Sequence, residues 1–431
     1  MNKERWKMKV GIIGAGASGM MAAVTAAEYG AEVTIFEKND RVGKKILATG
    51  NGKCNISNLE FDMNKYYCAD KEKLSRLFSV FSLWDTINFF ESNGMLIRNK
   101  NGYLYPYSEQ ASTVLDIFRK ILNDRKIEVY TETEISDVRF HKEKNKFSVE
   151  TKGQKHEFDR LILSCGGPAS QRKGEGMTGY HMAQSFGHTL HRLVPGLVQL
   201  RSNDGFIKGM AGVRCQAKAE LYADNEKLSE EQGEVQFTEY GISGIPVFQF
   251  SRMAAYALDE GKKVYVKLNL FPDYEEKAFL YIIRSRFDTM QEASVEEFLL
   301  GTVNKKINLA MIKKEGMKPG DKIEKQGFQK IKELMQSYRS LVIHIEAANG
   351  MENAQVCAGG VDFEEVDMQL ASLKQPGLYL TGELLDVDGK CGGYNLQWAW
   401  TSGYIAGRNA AGNSTKELII ENGKGTSNAK D

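Results

Sequence analysis

Apolar and polar positions near the start of the chain follow the pattern of a strand, a turn, a helix and a second strand. An apolar run at residues 10–13 ends at Gly14, and the small and apolar residues at 18–29 have helical spacing. Gly30 stands where a helix commonly ends, and a β-branched run at residues 33–36 ends at Glu37. The N-terminal region is therefore predicted to be a β-turn-α-β unit.

Further along, the pattern indicates a mixed α/β region that extends to residue 194. The apolar spacing predicts helices at residues 74–93 and 111–122, and we expect the aromatic stripe of the first helix to lie in the core. Strands are predicted at residues 103–107, 127–130, 135–140, 146–150 and 160–164, with a hairpin turn at residues 142–145.

From residue 195 the pattern changes to a β-rich block, followed by short helices. We expect antiparallel strands at residues 197–200, 213–222, 234–238, 263–270 and 341–347, and helices at residues 273–287, 295–300, 303–314 and 328–338. An apolar run at residues 378–380 and a helix at residues 398–411 then return to the α/β pattern.

Each glycine of the first turn fits a binding site for a dinucleotide. Gly14 allows a tight turn out of the strand, Gly16 lets the backbone approach a pyrophosphate, and Gly19 lets the helix pack closely on the strand. Glu37 is placed to accept hydrogen bonds from a ribose, which favours FAD or NAD over NADP. A glycine turn can be purely structural, but here strand, turn, helix, second strand and acid occur in order. The spacing therefore predicts a Rossmann-like nucleotide site.

Three further glycine-rich segments indicate where such a ligand would lie. The segment at residues 39–58 is either an anion-binding loop or a plain surface loop by composition. Its candidate residues are Lys44, Gly50, Asn51, Gly52, Cys54 and Asn55. A predicted strand ends at Cys165, Gly166 and Gly167, and ligands bind at the carboxyl ends of such strands. A last turn, containing Gly382 and Glu383, leads to a helix, so both ends of the chain would form a pocket for an elongated ligand such as FAD.

Residues 174–179 repeat the GxGxxG spacing of the first turn. They follow a polar loop rather than a strand, and no strand after them ends in an acid, so we do not expect a second nucleotide site there. Any nicotinamide donor would then dock transiently.

These patterns together predict an α/β fold in which a Rossmann-like FAD-binding domain is interrupted by a β-barrel-like insertion and a small helical subdomain. The Rossmann-like domain would comprise residues 1–194 and 351–412, the β-rich insertion residues 195–272 and 340–350, and the helical subdomain residues 273–339. Residues 413–431 are polar and are expected to form a flexible tail.

Charge and composition argue against several classes of partner. The chain of 431 residues has 57 basic and 56 acidic side chains, and this balance argues against nucleic acid or an anionic membrane. Its six cysteines lack CxxC spacing, and no apolar run reaches the roughly 18 residues of a membrane span, so we expect a cytoplasmic protein. His188 and His191 have metal-like spacing without a third ligand, and we expect no metal site.

Several stretches of the chain resemble a family of bacterial single-flavin oxidoreductases, the aminoacetone-oxidase-like or NAD(P)/FAD-dependent oxidoreductases. They are VGIIGAGASGMMAA, GKKILATGNGKCNISN, FTEYGISG, and the segment from AGGVDF to GLYLTGELLDVDGKCGGYNLQWAW. The resemblance covers residues 9–411 and implies one FAD in a glutathione-reductase-like Rossmann domain, with NAD(P)H as a transient electron donor.

The resemblance also implies which residues contact FAD. Contacts with the pyrophosphate are implied for Gly14, Ala15, Ala17, Ser18 and Gly19, and contacts with the adenosine ribose for Glu37 and Lys38. The diphosphate and flavin would lie near Lys44, Gly50, Asn51, Gly52 and Cys54. The adenine would lie on the backbone of Ile135, with Cys165, Gly166 and Gly167 close by. The ribityl chain would contact Gly382, Glu383 and Asp386, and the pyrimidine end of the flavin would face the helix N-terminus at Gly393, Tyr394, Asn395 and Leu396.

The implied activity is transfer of a hydride between flavin N5 and a small organic substrate. The family resemblance favours NAD(P)H-linked reduction of a conjugated enone, such as a steroid or bile acid, with oxidation of an aminoacetone-like amine by oxygen as the alternative. A non-catalytic FAD-binding or RNA-associated flavoprotein is the alternative from another class. Candidate proton donors, by motif position alone, are Tyr394, Tyr240 and Cys54, and Cys54 with Cys391 is a candidate redox pair.

Overall fold

A computed structural model of the protein describes residues 7–135, 137–151 and 153–412, so the tail predicted at residues 413–431 lies outside the described residues. The helices are α1 (Ala17–Glu28), α2 (Lys71–Val80), α3 (Leu83–Ser92), α4 (Ala111–Asp124), α5 (Thr178–Ser185), α6 (Ile245–Asp259), α7 (Glu276–Thr289), α8 (Val295–Phe298), α9 (Lys305–Lys314), α10 (Ile323–Ser337) and α11 (Tyr394–Ala410). The strands are β1 (Lys9–Ile13), β2 (Glu32–Phe36), β3 (Ser57–Asn58), β4 (Tyr66–Tyr67), β5 (Ile97–Lys100), β6 (Tyr103–Pro106), β7 (Glu128–Tyr130), β8 (Val138–His141), β9 (Lys146–Thr151), β10 (Gln154–Phe158), β11 (Arg160–Leu163), β12 (Val194–Gly196), β13 (Leu200–Arg201), β14 (Arg214–Ala223), β15 (Glu226–Thr238), β16 (Gly241–Gly244), β17 (Val264–Asn269), β18 (Leu341–Ile345), β19 (Ala347–Ala348), β20 (Val356–Ala358), β21 (Leu378–Leu380) and β22 (Asp388–Gly389).

A parallel sheet with the strand order β21-β11-β1-β2-β7 organises the nucleotide-binding part of the fold. Its strands β1, β2, β11 and β21 lead at their carboxyl ends into Gly14, Glu37, Ser164 and Thr381. Because neighbouring strands are parallel, these four positions lie along one edge of the sheet although they are far apart in sequence. The predicted α/β class with a Rossmann-like unit is confirmed.

Helix α11 packs directly along α1 and so joins the C-terminal helix to the N-terminal one. A Cβ atom built on Gly403 would lie 2.3 Å from the carbonyl oxygen of Ser18, and one on Gly407 would lie 2.3 Å from that of Ala22. Only glycine permits the two backbones to approach so closely. The two ends of the described chain are therefore fixed against each other.

A second, antiparallel sheet occupies the middle of the chain in the order β18-β17-β14-β15-β16-β13-β19. Its end strands are separated along the chain only by Glu346, so this one segment pairs with β17 and also with β13, which makes the sheet barrel-like. Buried side chains of the sheet and of the helices α7–α10 share one apolar cluster, which includes Phe237, Phe298 and Leu334. The exact domain boundaries stay a prediction.

The single helix predicted at residues 74–93 is wrong, because α2 and α3 are separate helices. Ser82 forms a capping box with Asp85: the Ser82 N–H donates to Asp85 Oδ2 at 2.7 Å, and the Asp85 N–H donates to Ser82 Oγ at 3.3 Å. This exchange starts a new helix at that point. As a result Trp84 is 68% exposed rather than part of the core, whereas Phe78 and Phe90 are buried.

Several elements, among them α6, β5 and β10, were not predicted from the sequence. The signal for α6 was present, because Pro246 lies in its first turn and the apolar residues Val247, Phe250 and Ala254 recur at helical spacing and are buried. Strand β10 is mostly polar and pairs with β9 at the edge of a small antiparallel sheet. Within the described residues, we find no helix with the length and apolar character needed to cross a membrane.

Candidate functional site

The three glycines of the first turn have different environments. A Cβ atom on Gly14, whose φ is +101°, would lie 2.5 Å from the carbonyl oxygen of Ser164, and one on Gly19 would lie 2.0 Å from that of Gly14. A Cβ atom on Gly16 would meet no protein atom within 4 Å. Protein packing therefore explains the first and third glycines, while the space beside the second is open.

The N-terminus of α1 lies at this open space. Its N-cap residue, Gly16, offers no side-chain acceptor, so the N–H groups of Ala17 and Ser18 face outward at the positive end of the helix dipole. Such a terminus binds phosphate groups without any further side chain. The predicted residues Gly14, Ala15, Gly16, Ala17, Ser18 and Gly19 thus form one continuous turn at the sheet edge.

Glu37 is buried beside the same turn. One of its carboxylate oxygens accepts the N–H of Ala15 at 2.9 Å, and the other accepts the N–H and the side-chain amide of Asn39 at 2.8 and 2.5 Å. A carboxylate has about four lone-pair sites, so one stays available for a ribose hydroxyl. The acid therefore supports the turn and can also contact a ligand.

A cavity of about 400 Å³ opens next to Glu37. It is lined by Lys38, Asn39, Glu134, residues 174–178 and His181, and Ile135 follows Glu134 directly. The ammonium group of Lys38 donates to Gln171 Oε1 at 2.5 Å. The sequence did not favour the glycine-rich segment at 174–179 as a second nucleotide site. Its residues 174–178 nevertheless line the same cavity as Lys38 and Asn39, which follow β2.

The loop between Lys44 and Asn55 has an unusual backbone. Left-handed φ angles occur at Gly50 (56°), Asn51 (54°), Gly52 (82°) and Cys54 (57°). Two of these residues are not glycine, and such strain is commonly found where a backbone is shaped for a ligand. Lys44 is solvent-exposed and lies 3.7 Å from Asp40, whereas Lys53 lies 2.8 Å from Glu109.

Asn55 supplies a polar atom without a partner. Its Oδ1 is buried and has no hydrogen-bond partner in the described structure. A Cβ atom on Gly393 would lie 2.9 Å from this oxygen, and Gly393 is the N-cap of α11, again without a side-chain cap. A buried acceptor therefore stands beside a helix N-terminus with free N–H donors. This combination is expected where a ligand carries both an N–H and carbonyl groups on one edge.

The carboxyl ends of β11 and β21 meet at Glu383. The Lys45 ammonium lies 2.7 Å from Glu383 Oε2, and the Cys357 N–H donates to Glu383 Oε1 at 2.7 Å. A Cβ atom on Gly166 would lie 3.5 Å from the same carboxylate, and one on Gly382 would lie 2.6 Å from Ser18 Oγ. Cys165 and Gly167 flank Gly166, so the structure brings the predicted segments at 165–167 and 382–383 together beside the first turn.

Other predicted contact residues direct their side chains towards the protein. Asp386 Oδ2 lies 2.8 Å from His191 Nδ1, and the Asn395 amide makes two hydrogen bonds with the backbone of Gly389, at 2.8 and 2.7 Å. Leu396 packs against the large apolar core. At the start of α11, the backbone N–H groups of Tyr394, Asn395 and Leu396 are consequently what a ligand can reach.

The candidate proton donors are constrained by burial. The Tyr394 hydroxyl donates to the carbonyl oxygen of Glu60 at 2.9 Å, and burial raises the pKa of Tyr394 to about 12. Burial also raises the pKa of the Cys54 thiol to about 12 and that of Cys391 above its usual range. All six cysteines are free thiols. Tyr240 lies in the turn between β15 and β16 and is 39% exposed. The structure does not single out any of these candidates as the proton donor.

Polar side chains of helix α6, which the sequence did not predict, form hydrogen bonds with the turn that precedes α11. Gln249 accepts the N–H of Cys391 at 2.9 Å and donates to its carbonyl oxygen at 3.3 Å. Arg252, one helical turn further, donates through Nε to Asp388 Oδ1 at 3.0 Å. Burial raises the pKa of Asp388 to about 7, and the Arg252 guanidinium opposes this shift. These residues link the insertion to the start of α11.

The two histidines with metal-like spacing have protein partners. His188 is buried, with Nδ1 at 3.0 Å from Glu365 Oε2 and Nε2 at 2.7 Å from Ser372 Oγ. His191 faces Asp386, and this hydrogen bond raises the pKa of His191 above its usual value. The imidazolium form of His191 therefore stabilises the folded protein.

Substituting asparagine for His191 should make the stability of the protein less dependent on pH. The folded-state pKa of His191 is raised, so its contribution is complete below the unfolded pKa of about 6.5 and is lost as pH rises through the folded pKa. We expect His191→Asn to lower the free energy of unfolding at about pH 6 by less than about 1 kcal/mol, because the partly exposed pair is screened by solvent, and by less still at about pH 9. Urea unfolding at both pH values measures this, and an equal loss at both would contradict it.

The site as a whole fits FAD. The open space at Gly16, the uncapped N-termini of α1 and α11, the unpaired Asn55 oxygen and the cavity beside Glu37 lie along one edge of the parallel sheet and the adjoining helix. They provide donors for a pyrophosphate, a pocket for a nucleoside, and an acceptor with donors for the amide edge of an isoalloxazine. FAD is the cofactor of this protein.

Comparison with known proteins also indicates an FAD-dependent oxidoreductase. The model of the HI0933-like protein Rossmann domain matches residues 8–409. A 3-dehydro-bile acid delta(4,6)-reductase of Clostridium scindens is 41% identical over 406 residues, which cover 94% of this chain and 99% of that protein. A ribosomal RNA dihydrouridine synthase of Escherichia coli is 26% identical over 398 residues, which cover 91% of this chain and 95% of that protein. These matches do not confirm the aminoacetone-oxidase-like part of the resemblance. The chain belongs to the HI0933-like Rossmann-domain family and is an FAD-dependent oxidoreductase.

Proposed function

We propose that this protein reduces a carbon–carbon double bond that is conjugated to a carbonyl group, in a steroid-like enone. The observation that carries the proposal is the 41% identity to the bile-acid reductase over nearly the full length of both chains. The more distant dihydrouridine synthase supports the reaction type, because formation of dihydrouridine also saturates a double bond conjugated to a carbonyl group. The shared chemistry is therefore addition of a hydride and a proton to a conjugated carbonyl compound.

We assign different residues of the chain to different parts of the cofactor. We assign the pyrophosphate to the turn at Gly16 and the N-terminus of α1, and the adenosine to Glu37, Lys38 and the cavity beside them. We assign the polar edge of the flavin to Asn55 and the N-terminus of α11, whose positive dipole end favours negative charge. When bound, FAD supplies the hydride for the reduction.

The electron donor in this proposal is NAD(P)H, which docks transiently. The structure has one parallel sheet of the Rossmann type among its described residues, and that sheet is assigned to FAD. A nicotinamide donor therefore has no Rossmann-type sheet of its own among the described residues, which is why we propose a transient complex.

A small molecule is favoured over RNA as the substrate. RNA binding depends on clusters of basic groups that contact phosphates, and the chain carries 57 basic against 56 acidic side chains. Many of the described lysines and arginines are paired with carboxylates, including Lys53, Arg98 and Lys100 around Glu109. An RNA substrate is thus the weaker alternative.

We also propose that the protein works in a reducing compartment such as the cytoplasm. All six of its cysteines are free thiols. Proteins of oxidising compartments commonly pair their cysteines, which this fold does not.

Product analysis tests the proposed reaction. The holoenzyme is incubated without oxygen with NADH or NADPH and a conjugated steroid ketone, and separately in air with aminoacetone. We expect the steroid to gain two hydrogen atoms, detected by mass spectrometry, and aminoacetone to remain unchanged. Consumption of aminoacetone with uptake of oxygen, and no change in the steroid, would show that the protein is an amine oxidase instead.

A further inference from the structure

The guanidinium group of Arg252 is held rigidly where the insertion meets the FAD-binding part of the fold. Its Nε donates to Asp388 Oδ1 at 3.0 Å, and the side chain of Asp388 is 5% exposed. The guanidinium carbon lies 4.6 Å from the centre of the Tyr67 ring and 4.8 Å from that of the Tyr256 ring. The group is thus fixed by one carboxylate and by contact with two aromatic rings, and ordering it for a ligand requires little further loss of entropy.

The end of this side chain has unused hydrogen-bond donors. Among the described residues, the two terminal nitrogens of Arg252 (the Nη atoms) have no hydrogen-bond partner, although the side chain is only 21% exposed. A guanidinium presents five N–H donors, of which the Asp388 contact uses one. The remaining donors on the Nη atoms are free to meet an acceptor on a ligand, because the side chain is partly exposed.

Arg252 also belongs to the structure that leads to the proposed flavin site. Its partner Asp388 lies in β22, and Gln249 on the same face of α6 holds both backbone groups of Cys391. Two residues later, Gly393 caps α11, beside the unpaired oxygen of Asn55. Residues 388–393 therefore connect the Arg252 contact directly to the helix terminus that we assign to the flavin.

We propose that the Nη groups of Arg252 bind the carbonyl oxygen of the substrate, with Asp388 as the residue that positions them. This inference rests on the proposed reduction of a conjugated carbonyl compound. When the hydride is added to the far carbon of the double bond, the electron pair of that bond moves towards the carbonyl oxygen, which becomes negatively charged. The Arg252 N–H groups stabilise this charge. A proton from solvent then adds to the carbon next to the carbonyl, which restores the C=O bond and leaves a saturated ketone.

The test combines a change in the protein with a change in the ligand. The two ligands are a conjugated steroid ketone and the same steroid without the ketone oxygen, and their binding to the oxidised holoenzyme is measured by calorimetry. Hydrogen bonds to a charged donor contribute about 1.5–3 kcal/mol, so the wild-type protein should bind the ketone at least about 10-fold more tightly than the deoxygenated steroid. In Arg252→Met this preference should fall to near unity, and the turnover number for the ketone should fall by at least about 100-fold.

Two further variants separate recognition from folding. Arg284→Met removes an arginine that pairs with Asp288 on α7 and should keep both the preference and the turnover. Arg252→Lys keeps the positive charge, so its preference for the ketone over the deoxygenated steroid should lie between those of the wild type and Arg252→Met. If Arg252→Met loses its flavin, the preference of Arg252→Lys tests the assignment instead. An unchanged ketone preference in both Arg252 variants, or equal weakening of both ligands, would overturn the assignment of Arg252. A wild-type holoenzyme that neither binds nor reduces the ketone would instead overturn the proposed function.

Discussion

Replacing Gly16 with alanine should abolish tight FAD binding and leave the folded apoprotein intact. The backbone at Gly16 has φ −76°, which any residue adopts, and a Cβ atom there would touch no protein atom within 4 Å. The added methyl group would lie at the N-terminus of α1, where we place the pyrophosphate. We expect the dissociation constant for FAD to rise at least about 100-fold, while the free energy of unfolding of the apoprotein changes by less than about 1 kcal/mol.

The matched comparison is Gly14→Ala in the same turn. There the added Cβ atom would lie 2.5 Å from a backbone oxygen, at a φ of +101°. This variant should lower the stability of the apoprotein itself by more than about 2 kcal/mol. Fluorescence titration with FAD and urea unfolding of the apoproteins separate the two effects. The interpretation of Gly16 fails if Gly16→Ala binds FAD like the wild type, or if it is as unstable as Gly14→Ala.

Replacing Gly407 with alanine should destabilise the whole nucleotide-binding part of the fold. The Cβ atom would lie 2.3 Å from the carbonyl oxygen of Ala22, and since that atom belongs to the backbone of α1, the two helices have to move apart. We expect a loss of about 3 kcal/mol in the free energy of unfolding, measured in urea. Because α11 begins at the proposed flavin site, the flavin content of the purified protein should fall as well.

Controls for this prediction lie in the same chain. Gly403→Ala, which would place its Cβ atom 2.3 Å from the Ser18 oxygen, should have a similar effect. Gly320→Ala is the neutral control, because a Cβ atom there meets nothing within 4 Å and its φ is not positive. A Gly407→Ala protein that unfolds at the urea concentration of the wild type would show that α1 and α11 are not packed as described.

The fingerprint turn illustrates what the sequence could reveal. Its glycine spacing predicted a tight turn at Gly14 and close packing at Gly19, and the structure shows both as short distances to backbone oxygens. Strand and helix positions around it followed from apolar spacing, because burial of one face dictates that spacing. The parallel order of β1 and β2 follows from the single helix that connects them.

Side-chain direction at the site could not be derived in the same way. The family resemblance implied that Asp386 and Asn395 contact the ligand, but their side chains contact His191 and Gly389. Likewise, nothing in the motif around Asn55 indicates that its Oδ1 is buried without a partner. These features depend on which distant segments meet, and local patterns carry no information about that.

Helix α6 was missed for a different reason. Its apolar spacing and its proline are visible in the sequence, but the helix lies between strands of the β-rich block. Its residues Gln249 and Arg252 are separated from their partners Cys391 and Asp388 by more than a hundred positions in the chain. Only the fold of the insertion brings them together.

The most direct test of the central claim is a single turnover in the absence of oxygen. The holoenzyme is reduced with a stoichiometric amount of dithionite and mixed in a stopped-flow instrument with a conjugated steroid ketone, and the visible absorbance of oxidised flavin is followed. If the protein is an FAD-dependent enone reductase, oxidised flavin returns in proportion to the ketone added, and the corresponding saturated ketone has no effect. Flavin that stays reduced with the conjugated ketone and is reoxidised only when oxygen is admitted would contradict the account.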